Sequence, residues 1–266
     1  MSDDAAALRE VKRSLVENAG GYLRNTVHIP GETCSKCRGT KLRTGFHTCY
    51  PCDWIYGSAA DLVGSMIYGV SDAQSGKLMH QYKLTPQRQS LVQRVSSLVT
   101  VGVKDHFDCV GLLLGKEPTR WATVPSLKNI GSDHPFRKLI LTPMLGAEYE
   151  VEVKASAMAK EKSEQERREF NLDLYELASE VPNGAHVLLI DDTWTSGGHI
   201  QSVAAALKRG GAARVAALAV ARWLDTNDSR TKRIYNELIK PRPYSPEVCP
   251  WTGGVCPTER DPFGLP

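Results

Sequence analysis

Two adjacent carboxylates, Asp191 and Asp192, end an aliphatic run in the part of the sequence with the clearest chemical pattern. The aliphatic residues 187–190 before them predict a strand buried on both faces, as in a parallel sheet. A small polar loop at 193–198 and a helical pattern over 200–208 follow. In an open α/β sheet, ligands bind outside the carboxyl ends of the strands, and a loop that begins a helix offers free backbone N–H groups to anions. The stretch therefore predicts a site for a phosphorylated sugar.

Four cysteines form a second pattern, two Cys-x-x-Cys pairs with eleven residues between them: Cys34, Cys37, Cys49 and Cys52. Two such turns can place four thiolates around one tetrahedral Zn²⁺, and four thiolates leave no open position for catalysis. We therefore expect a structural zinc site, in which Gly39 lets the backbone fold under the first pair. A redox pair and reduced cysteines without a role are the other interpretations, and His47 is a candidate substitute ligand.

The composition places the chain among ordinary globular proteins. It has 266 residues, of which 41% are hydrophobic and 24% charged, and a net charge of only +3, which gives no bulk electrostatic case for nucleic-acid binding. No apolar run approaches the length of a transmembrane helix, and the N-terminal residues lack the pattern of a signal peptide. We expect a cytoplasmic protein, where paired cysteines favour metal binding over disulfide formation.

The spacing of apolar residues predicts the elements that position these groups. Residues 187–220 predict a strand, a helix and a strand, which form one right-handed βαβ unit. Further strands are predicted at 107–114, 121–124 and 148–153. Helices are predicted at 5–23, around 62–67, and at 87–101, 171–179 and 226–240.

Three polar segments have two or more interpretations each. The loop 124–138 carries Ser126, Lys128, Asn129, Ser132 and Arg137, and is either an oxyanion-binding loop or a solvated connection. The charged segment 154–170 is a solvated helix or mobile loop, or a lid that uses Lys154, Lys160, Arg167 or Arg168. In the proline- and glycine-rich tail, Cys249 and Cys256 could bind a second metal, pair with each other or stay unpaired.

Residues 187–199 closely resemble the phosphoribosyl-pyrophosphate (PRPP) binding motif of type I phosphoribosyltransferases. The upstream cysteine pairs and the segment Tyr82-Lys83 extend the resemblance to the ComF-like group, over roughly residues 34–222. That group joins an N-terminal zinc ribbon to a phosphoribosyltransferase domain and is often labelled amidophosphoribosyltransferase-like. The resemblance implies an α/β fold with an open, mainly parallel sheet and a small zinc ribbon. Its parts are an N-terminal helix at 1–30, the ribbon at 31–56, the phosphoribosyltransferase domain at 57–240 and a Pro/Gly-rich tail at 241–266.

The resemblance also implies roles for single residues. Asp191 and Asp192 would be the catalytic carboxylates and would accept hydrogen bonds from the ribose hydroxyls, whereas their ordinary role would be to cap a helix. The 5′-phosphate would be held by Thr195, Ser196, Gly197, Gly198 and His199, and Thr193 would also belong to the PRPP-binding residues. The pyrophosphate, with its Mg²⁺, would lie against Pro125, Ser126 and Lys128. The chain departs from the family at 131–136, which replaces an arginine and asparagine-glutamine run, and Arg137 matches that arginine only loosely. Arg167, Arg168 and Asn171 keep part of the family's lid pattern.

Two functions follow from these patterns. The first is an enzyme that transfers phosphoribose from PRPP to an acceptor, expected to be a nitrogen atom, with release of pyrophosphate. The second is a catalytically weak PRPP sensor, or a DNA-uptake-related protein whose zinc ribbon binds single-stranded DNA or a protein partner. The groups expected to bind DNA are basic and aromatic residues of the ribbon, whose ordinary role would be to keep it soluble: Lys36, Arg38, Lys41, Arg43, Tyr50 and Trp54.

Overall fold

The computed structural model describes residues 3–41, 45–55, 59–131 and 133–258. Arg43 and Ser132, for which the sequence made predictions, lie outside the described residues, as does the side chain of Trp54. The centre of the fold is a four-stranded parallel sheet of β1 (Leu62–Val70), β2 (Arg120–Thr123), β5 (His186–Trp194) and β6 (Arg214–Leu224). The strand order is β1-β6-β5-β2, so β5 and β6 are central. The predicted α/β class with an open parallel sheet is confirmed.

Helices cover both faces of this sheet. They are α1 (Asp3–Ala19), α2 (Gln74–Gln81), α3 (Gln89–Thr100), α4 (Phe107–Leu114), α5 (Thr142–Leu145), α6 (Ala157–Glu161), α7 (Glu164–Arg168), α8 (Gly198–Arg209) and α9 (Ser229–Ile234). Alternate β5 residues face opposite layers: Leu188 and Ile190 join the core with α1, α3 and α4, while Val187 and Leu189 join the core with α8. This two-sided burial explains why β5 is a continuous aliphatic run.

Short elements complete the described chain. The strands β3 (Val153–Ala155) and β4 (Tyr175–Leu177) pair antiparallel as a separate two-stranded sheet. π-helical turns occur at Pro51–Ile55, Val101–Asp105, Arg137–Leu141 and Tyr235–Ile239, and a 3₁₀ turn occurs at Ala147–Tyr149. No helix in the described ranges has the length and apolar character needed to cross a membrane.

Several predicted elements are confirmed, and four are wrong. The helices at 5–23 and 87–101 correspond to α1 and α3, the strand at 121–124 to β2, and the βαβ unit to β5-α8-β6. The helix predicted around 62–67 is the strand β1, and the strand predicted at 107–114 is the helix α4. Both are short apolar runs, in which periodicity does not separate a buried strand from a buried helix. The strand predicted at 148–153 begins only at Val153, and the helix predicted at 171–179 contains β4.

The C-terminal segment packs closely on the sheet. The Asn25 side-chain amide donates to the Ser245 carbonyl at 2.9 Å, and its oxygen accepts from the Ser245 N–H at 2.8 Å. Ser65 in β1 donates its N–H to the Pro250 carbonyl at 3.3 Å, and Trp251 is only 2% exposed. The proline- and glycine-rich segment is therefore part of the core as far as Trp251, and Cys256 packs against that core.

Candidate functional site

The two aspartates lie at the carboxyl end of β5, at one wall of a cavity of about 360 Å³. The loop after β2 and the helix α7 form other walls of this cavity. The lining residues are Val124, Pro125, Ser126, Leu127, Lys128, His134, Glu164, Arg167, Arg168, Asp191, Asp192, Thr193 and His199. Most of the predicted site residues are therefore brought together, and both acidic and basic side chains face the same space.

Asp192 is held by groups from distant parts of the chain. Its Oδ2 accepts a hydrogen bond from the Tyr82 hydroxyl at 2.6 Å and pairs with Lys83 Nζ at 2.5 Å, while His134 Nε2 lies 3.7 Å away. Burial opposes ionisation of this carboxyl, but the Lys83 charge and the bonds from Lys83 and Tyr82 outweigh it and lower the pKa of Asp192. Asp192 is therefore ionised and oriented.

Asp191 has a different environment, although it is the next residue. Its Oδ1 accepts the backbone N–H of Asp192 at 2.9 Å, and the side chain is partly exposed. Burial and the neighbouring Asp192 charge raise the pKa of Asp191 to about 8. The raised pKa favours the protonated form of Asp191 near neutral pH. The two carboxyls are thus an ionised and a protonated member of one pair.

The loop after β2 is fixed to its neighbours by short hydrogen bonds. The Thr123 hydroxyl donates to the Ile190 carbonyl at 2.8 Å, which ties the end of β2 to β5, and Ser126 Oγ accepts the Asn129 N–H at 3.2 Å. Arg167 Nη1 donates to the Leu127 carbonyl at 3.1 Å, so α7 is attached to the same loop. The loop residues predicted to contact pyrophosphate therefore line the cavity, in a loop that is hydrogen-bonded to β5 and α7.

Arg137, the loosely matched family arginine, lies elsewhere. Its guanidinium pairs with both carboxylate oxygens of Glu150, at 2.6 and 2.9 Å, and it does not line the cavity of the aspartates. The bidentate pair joins the π-helical turn to the segment that follows it. Arg137 therefore stabilises the fold around the loop.

The predicted phosphate loop at the start of α8 is only partly open to the cavity. Thr193 and His199 line it, but Thr195, Ser196, Gly197 and Gly198 do not. The Arg168 carbonyl accepts from Ser196 Oγ at 3.0 Å, and a Cβ added at Gly198 would lie 2.2 Å from the same carbonyl oxygen. The end of α7 therefore covers the N-terminus of α8.

Two further features shape this loop. Gly197 has a φ of 97°, and a Cβ there would also lie 2.7 Å from the Trp194 ring, so only glycine fits. His199 Nδ1 and the Tyr175 hydroxyl are 2.8 Å apart. Burial, helped by the Arg168 charge, lowers the pKa of His199 to about 4, so the imidazole is neutral. The loop thus presents a neutral hydrogen-bonding side chain to the cavity.

The charged segment 154–170 contributes one helix to the site. A capping box between Ser163 and Glu166 begins α7, and Glu164, Arg167 and Arg168 line the cavity. Lys154 pairs with Glu176 at 3.3 Å, on the two-stranded sheet. Of the residues predicted for a lid, Arg167 and Arg168 in α7 therefore line the cavity, whereas Lys154 and Lys160 do not.

The four paired cysteines come together as predicted, with their sulfur atoms all within 4.8 Å of one another. Cys37 Sγ and Cys49 Sγ are 3.7 Å apart, close to the separation of about 3.8 Å that follows from Zn–S bonds of about 2.3 Å in a tetrahedral site. This group could hold a metal such as zinc. In the described chain, His47 is not a member of the group, and its carbonyl accepts the Ser35 N–H.

Gly39 has a different role from the one predicted. The left-handed residue of the first turn is Arg38, with φ 56°, whereas a Cβ at Gly39 would lie 2.1 Å from Arg222 Nη2. Arg222 Nη2 lies 3.9 Å from Cys37 Sγ, and Nη1 donates to the carbonyls of Trp194 at 3.1 Å and Thr195 at 2.7 Å. Gly39 therefore admits an arginine that connects the cysteine group to the loop after the aspartates.

Sequence reasoning did not assign site roles to Lys83, His134, Glu164 and Tyr175. The segment Tyr82-Lys83 contributes only to the family resemblance, and no local pattern marks His134, Glu164 or Tyr175. Comparison with known proteins adds no assignment: none of the protein-family models matches the chain, and no curated protein is significantly similar to it.

Proposed function

We propose that the chain binds PRPP with Mg²⁺ in the cavity at the end of β5 and transfers its phosphoribosyl group to a nitrogen acceptor. The observation that carries the proposal is the adjacent pair Asp191 and Asp192, which faces Lys128 and Arg167 across one cavity. Carboxylates suit a ribose diol, and basic side chains suit phosphates. PRPP carries both a ribose diol and phosphates, which matches the acidic and basic side chains on the walls of this cavity.

The two aspartates would share the recognition of the ribose. Asp192 is already occupied by Tyr82 and Lys83, so it orients the site, and Asp191 is the carboxyl with room to accept from the 2′- and 3′-hydroxyls. Hydrogen bonds to its ionised form would favour loss of its proton on donor binding. Mg²⁺, which arrives with the substrate, would neutralise the pyrophosphate oxygens.

Catalysis would then depend on positioning and on fixed charges. As the bond between C1 of the ribose and the pyrophosphate oxygen breaks, positive charge develops on the sugar ring and negative charge on the leaving group. Asp191 would stabilise the ring, while Lys128 and Arg167 would stabilise the pyrophosphate. The acceptor nitrogen forms the new bond to C1 and loses a proton to solvent.

The 5′-phosphate would occupy the N-terminus of α8, where backbone N–H groups and the helix dipole favour an anion. The Arg168 carbonyl lies against this place and accepts from Ser196. Donor binding would therefore require the end of α7 to withdraw, which breaks the hydrogen bond from Ser196 to the Arg168 carbonyl. Because Arg167 and Arg168 are on the same helix, α7 would act as a lid.

The four cysteines at 34–52 would form a zinc ribbon. Four thiolates around Zn²⁺ leave no open position, so this metal would stabilise the module and perform no step of the reaction. Arg222 would partly neutralise the negative charge of the tetrathiolate and transmit its position to the carbonyls of Trp194 and Thr195.

Release of pyrophosphate tests the reaction directly. Purified protein with PRPP and Mg²⁺ is assayed against purine and pyrimidine bases, ammonia and glutamine. We expect release with one acceptor class, reduced by at least a hundredfold in Asp191→Asn, and unchanged in Asp173→Asn, an exposed aspartate away from the cavity. Release that is equal in wild type and Asp191→Asn would contradict the assignment.

A second candidate function has one observation in its favour. Phe46 and Tyr50 of the cysteine module are 51% and 54% exposed, as expected for side chains that stack on bases. The basic residues give less support, because Arg38 and Lys41 are buried and Lys41 donates to the Phe46 carbonyl. Binding of single-stranded DNA that weakens with salt and is lost in Phe46→Ser would support this function, and no binding at low salt would exclude it.

A further inference from the structure

A second group of metal-ligand side chains lies where the C-terminal segment packs against the start of α4. Its members are His106, Cys109, Cys249 and Cys256, whose ligand atoms all lie within 4.8 Å of one another. We propose that this group binds a structural Zn²⁺ through three thiolates and His106 Nδ1, and so fastens the C-terminal segment to α4. The site is separate from the Cys34 group and independent of the proposed phosphoribosyl transfer.

The position of His106 matches that of a zinc ligand. Its Nε2 lies 3.1 Å from the Pro246 carbonyl, which can only accept, so Nε2 carries the hydrogen. This leaves Nδ1 with a lone pair, and Nδ1 lies 3.3 Å from Cys256 Sγ. A histidine that donates one ring N–H to a backbone carbonyl and directs the other nitrogen at the metal is the usual arrangement.

The backbone holds the other ligands in place. Cys109 is in the first turn of α4, three residues after His106. The Cys249 N–H donates to the Gly254 carbonyl, and the Gly253 N–H donates to the Cys249 carbonyl, both at 2.8 Å. This tight turn brings Cys256 back toward Cys249. Two ligands therefore come from a helix start and two from one closed turn.

The surroundings exclude water from most of the group. His106, Cys109 and Cys249 are 1%, 5% and 0% exposed, and Cys256 closes the outer side. The Trp251 indole N–H donates to the His106 carbonyl at 3.1 Å and covers the inner side. Three cysteines and one histidine are a ligand set of structural zinc sites. Because the separations are at most 4.8 Å, a contraction of no more than about 1 Å would give tetrahedral Zn–S and Zn–N bonds.

Two other states of these side chains make different predictions. A Cys249–Cys256 disulfide would lower the intact mass by two hydrogens and leave Cys109 unpaired. Reduced cysteines that only fill the core would bind no metal. Zinc binding, in contrast, releases the three thiol protons to solvent and bridges the helix and the tail.

Native mass spectrometry of the full chain, purified without chelator, counts the zinc ions directly. We expect two per wild-type chain, one in Cys109→Ser/Cys256→Ser, and one in the matched variant Cys34→Ser/Cys37→Ser. The first variant should also have a lower Tm and expose the tail to protease earlier. A wild-type mass with a single zinc that is also lost in the first variant would likewise support the site.

Three results would overturn the proposal. They are a wild-type chain without zinc, a zinc count that Cys109→Ser/Cys256→Ser leaves unchanged, and an intact mass lower by two hydrogens that maps to Cys249 and Cys256. The wild-type count and mass do not depend on either variant folding. None of these measurements involves PRPP, so they are separate from the test of the transferase function.

Discussion

The ion pair between Lys83 and Asp192 supports the first prediction, for the variant Lys83→Met. The ammonium and the carboxylate are 2.5 Å apart, Asp192 is only 5% exposed, and the Lys83 side chain is 31% exposed. At an effective dielectric constant of about 20, their attraction is about 7 kcal/mol before desolvation is subtracted. Removing one partner of a buried pair costs about 3–5 kcal/mol. Because Lys83 keeps some contact with solvent, we expect Lys83→Met to lower the free energy of unfolding by about 3 kcal/mol, the lower end of this range.

A double-mutant cycle isolates this interaction. In Lys83→Met/Asp192→Asn neither charge of the pair is left without its partner, so we expect the double variant to be at least about 2 kcal/mol more stable than the sum of the single changes implies. Urea unfolding followed by tryptophan fluorescence gives the free energies. Lys77→Met, an exposed lysine on α2, is the matched control and should cost less than about 0.5 kcal/mol. Additive single changes, or a cost for Lys83→Met no larger than that of the control, would refute the reasoning.

Four other substitutions test the site. Asp191 has a folded pKa of about 8, above its ordinary 3.8, so it binds a proton in the folded state between these values and stability falls as pH rises from about 4 to about 8. Asp191→Asn should remove this dependence and be more stable than wild type at pH 8.5, with the difference shrinking toward pH 4, measured by urea unfolding at both ends of the range; an unchanged slope would argue against the raised pKa. Arg222→Lys keeps the charge but loses part of the donor fork, so we expect a loss of about 1–3 kcal/mol and weaker PRPP binding. Gly39→Ala should have the same effects by displacing the guanidinium. Normal PRPP binding in both variants would show that the cysteine group does not influence the loop after the aspartates. Gly198→Ala should push the Arg168 carbonyl away and speed proteolysis within 157–171, whereas Gly21→Ala, whose added Cβ meets no atom within 4 Å, is the control.

The parts of the site that could be predicted are those encoded within one short stretch. The run 187–190, the aspartates and the glycine loop predict β5, the start of α8 and the acidic pair, because strand, loop and helix are consecutive and each has its own residue pattern. The paired cysteines are similar, since the spacing within each pair already fixes two ligands on one turn. These local signals agree with the structure.

The residues that sequence reasoning missed reach the site through tertiary packing. Lys83 is more than a hundred residues from Asp192, and His134 is nearly sixty away, so no local spacing connects them. The contact of Lys83 depends on β1 lying beside β6 and on α2 following β1, and the prediction of a helix around 62–67 excluded that arrangement. His134 follows β2, which pairs with β5. The second metal-ligand group also depends on tertiary packing. His106 and Cys109 are three residues apart and Cys249 and Cys256 are seven apart, but about 140 residues separate the two pairs.

Calorimetric titration with PRPP and Mg²⁺ tests the central claim most directly, because it measures donor binding whether or not an acceptor is known. We predict a single site per chain in the wild type, at least tenfold weaker binding in Asp191→Asn, and unchanged binding in Asp173→Asn, with all three proteins folded by circular dichroism. No heat of binding for the wild type at millimolar PRPP and Mg²⁺ would contradict the assignment of Asp191 and Asp192 to a phosphoribosyl site.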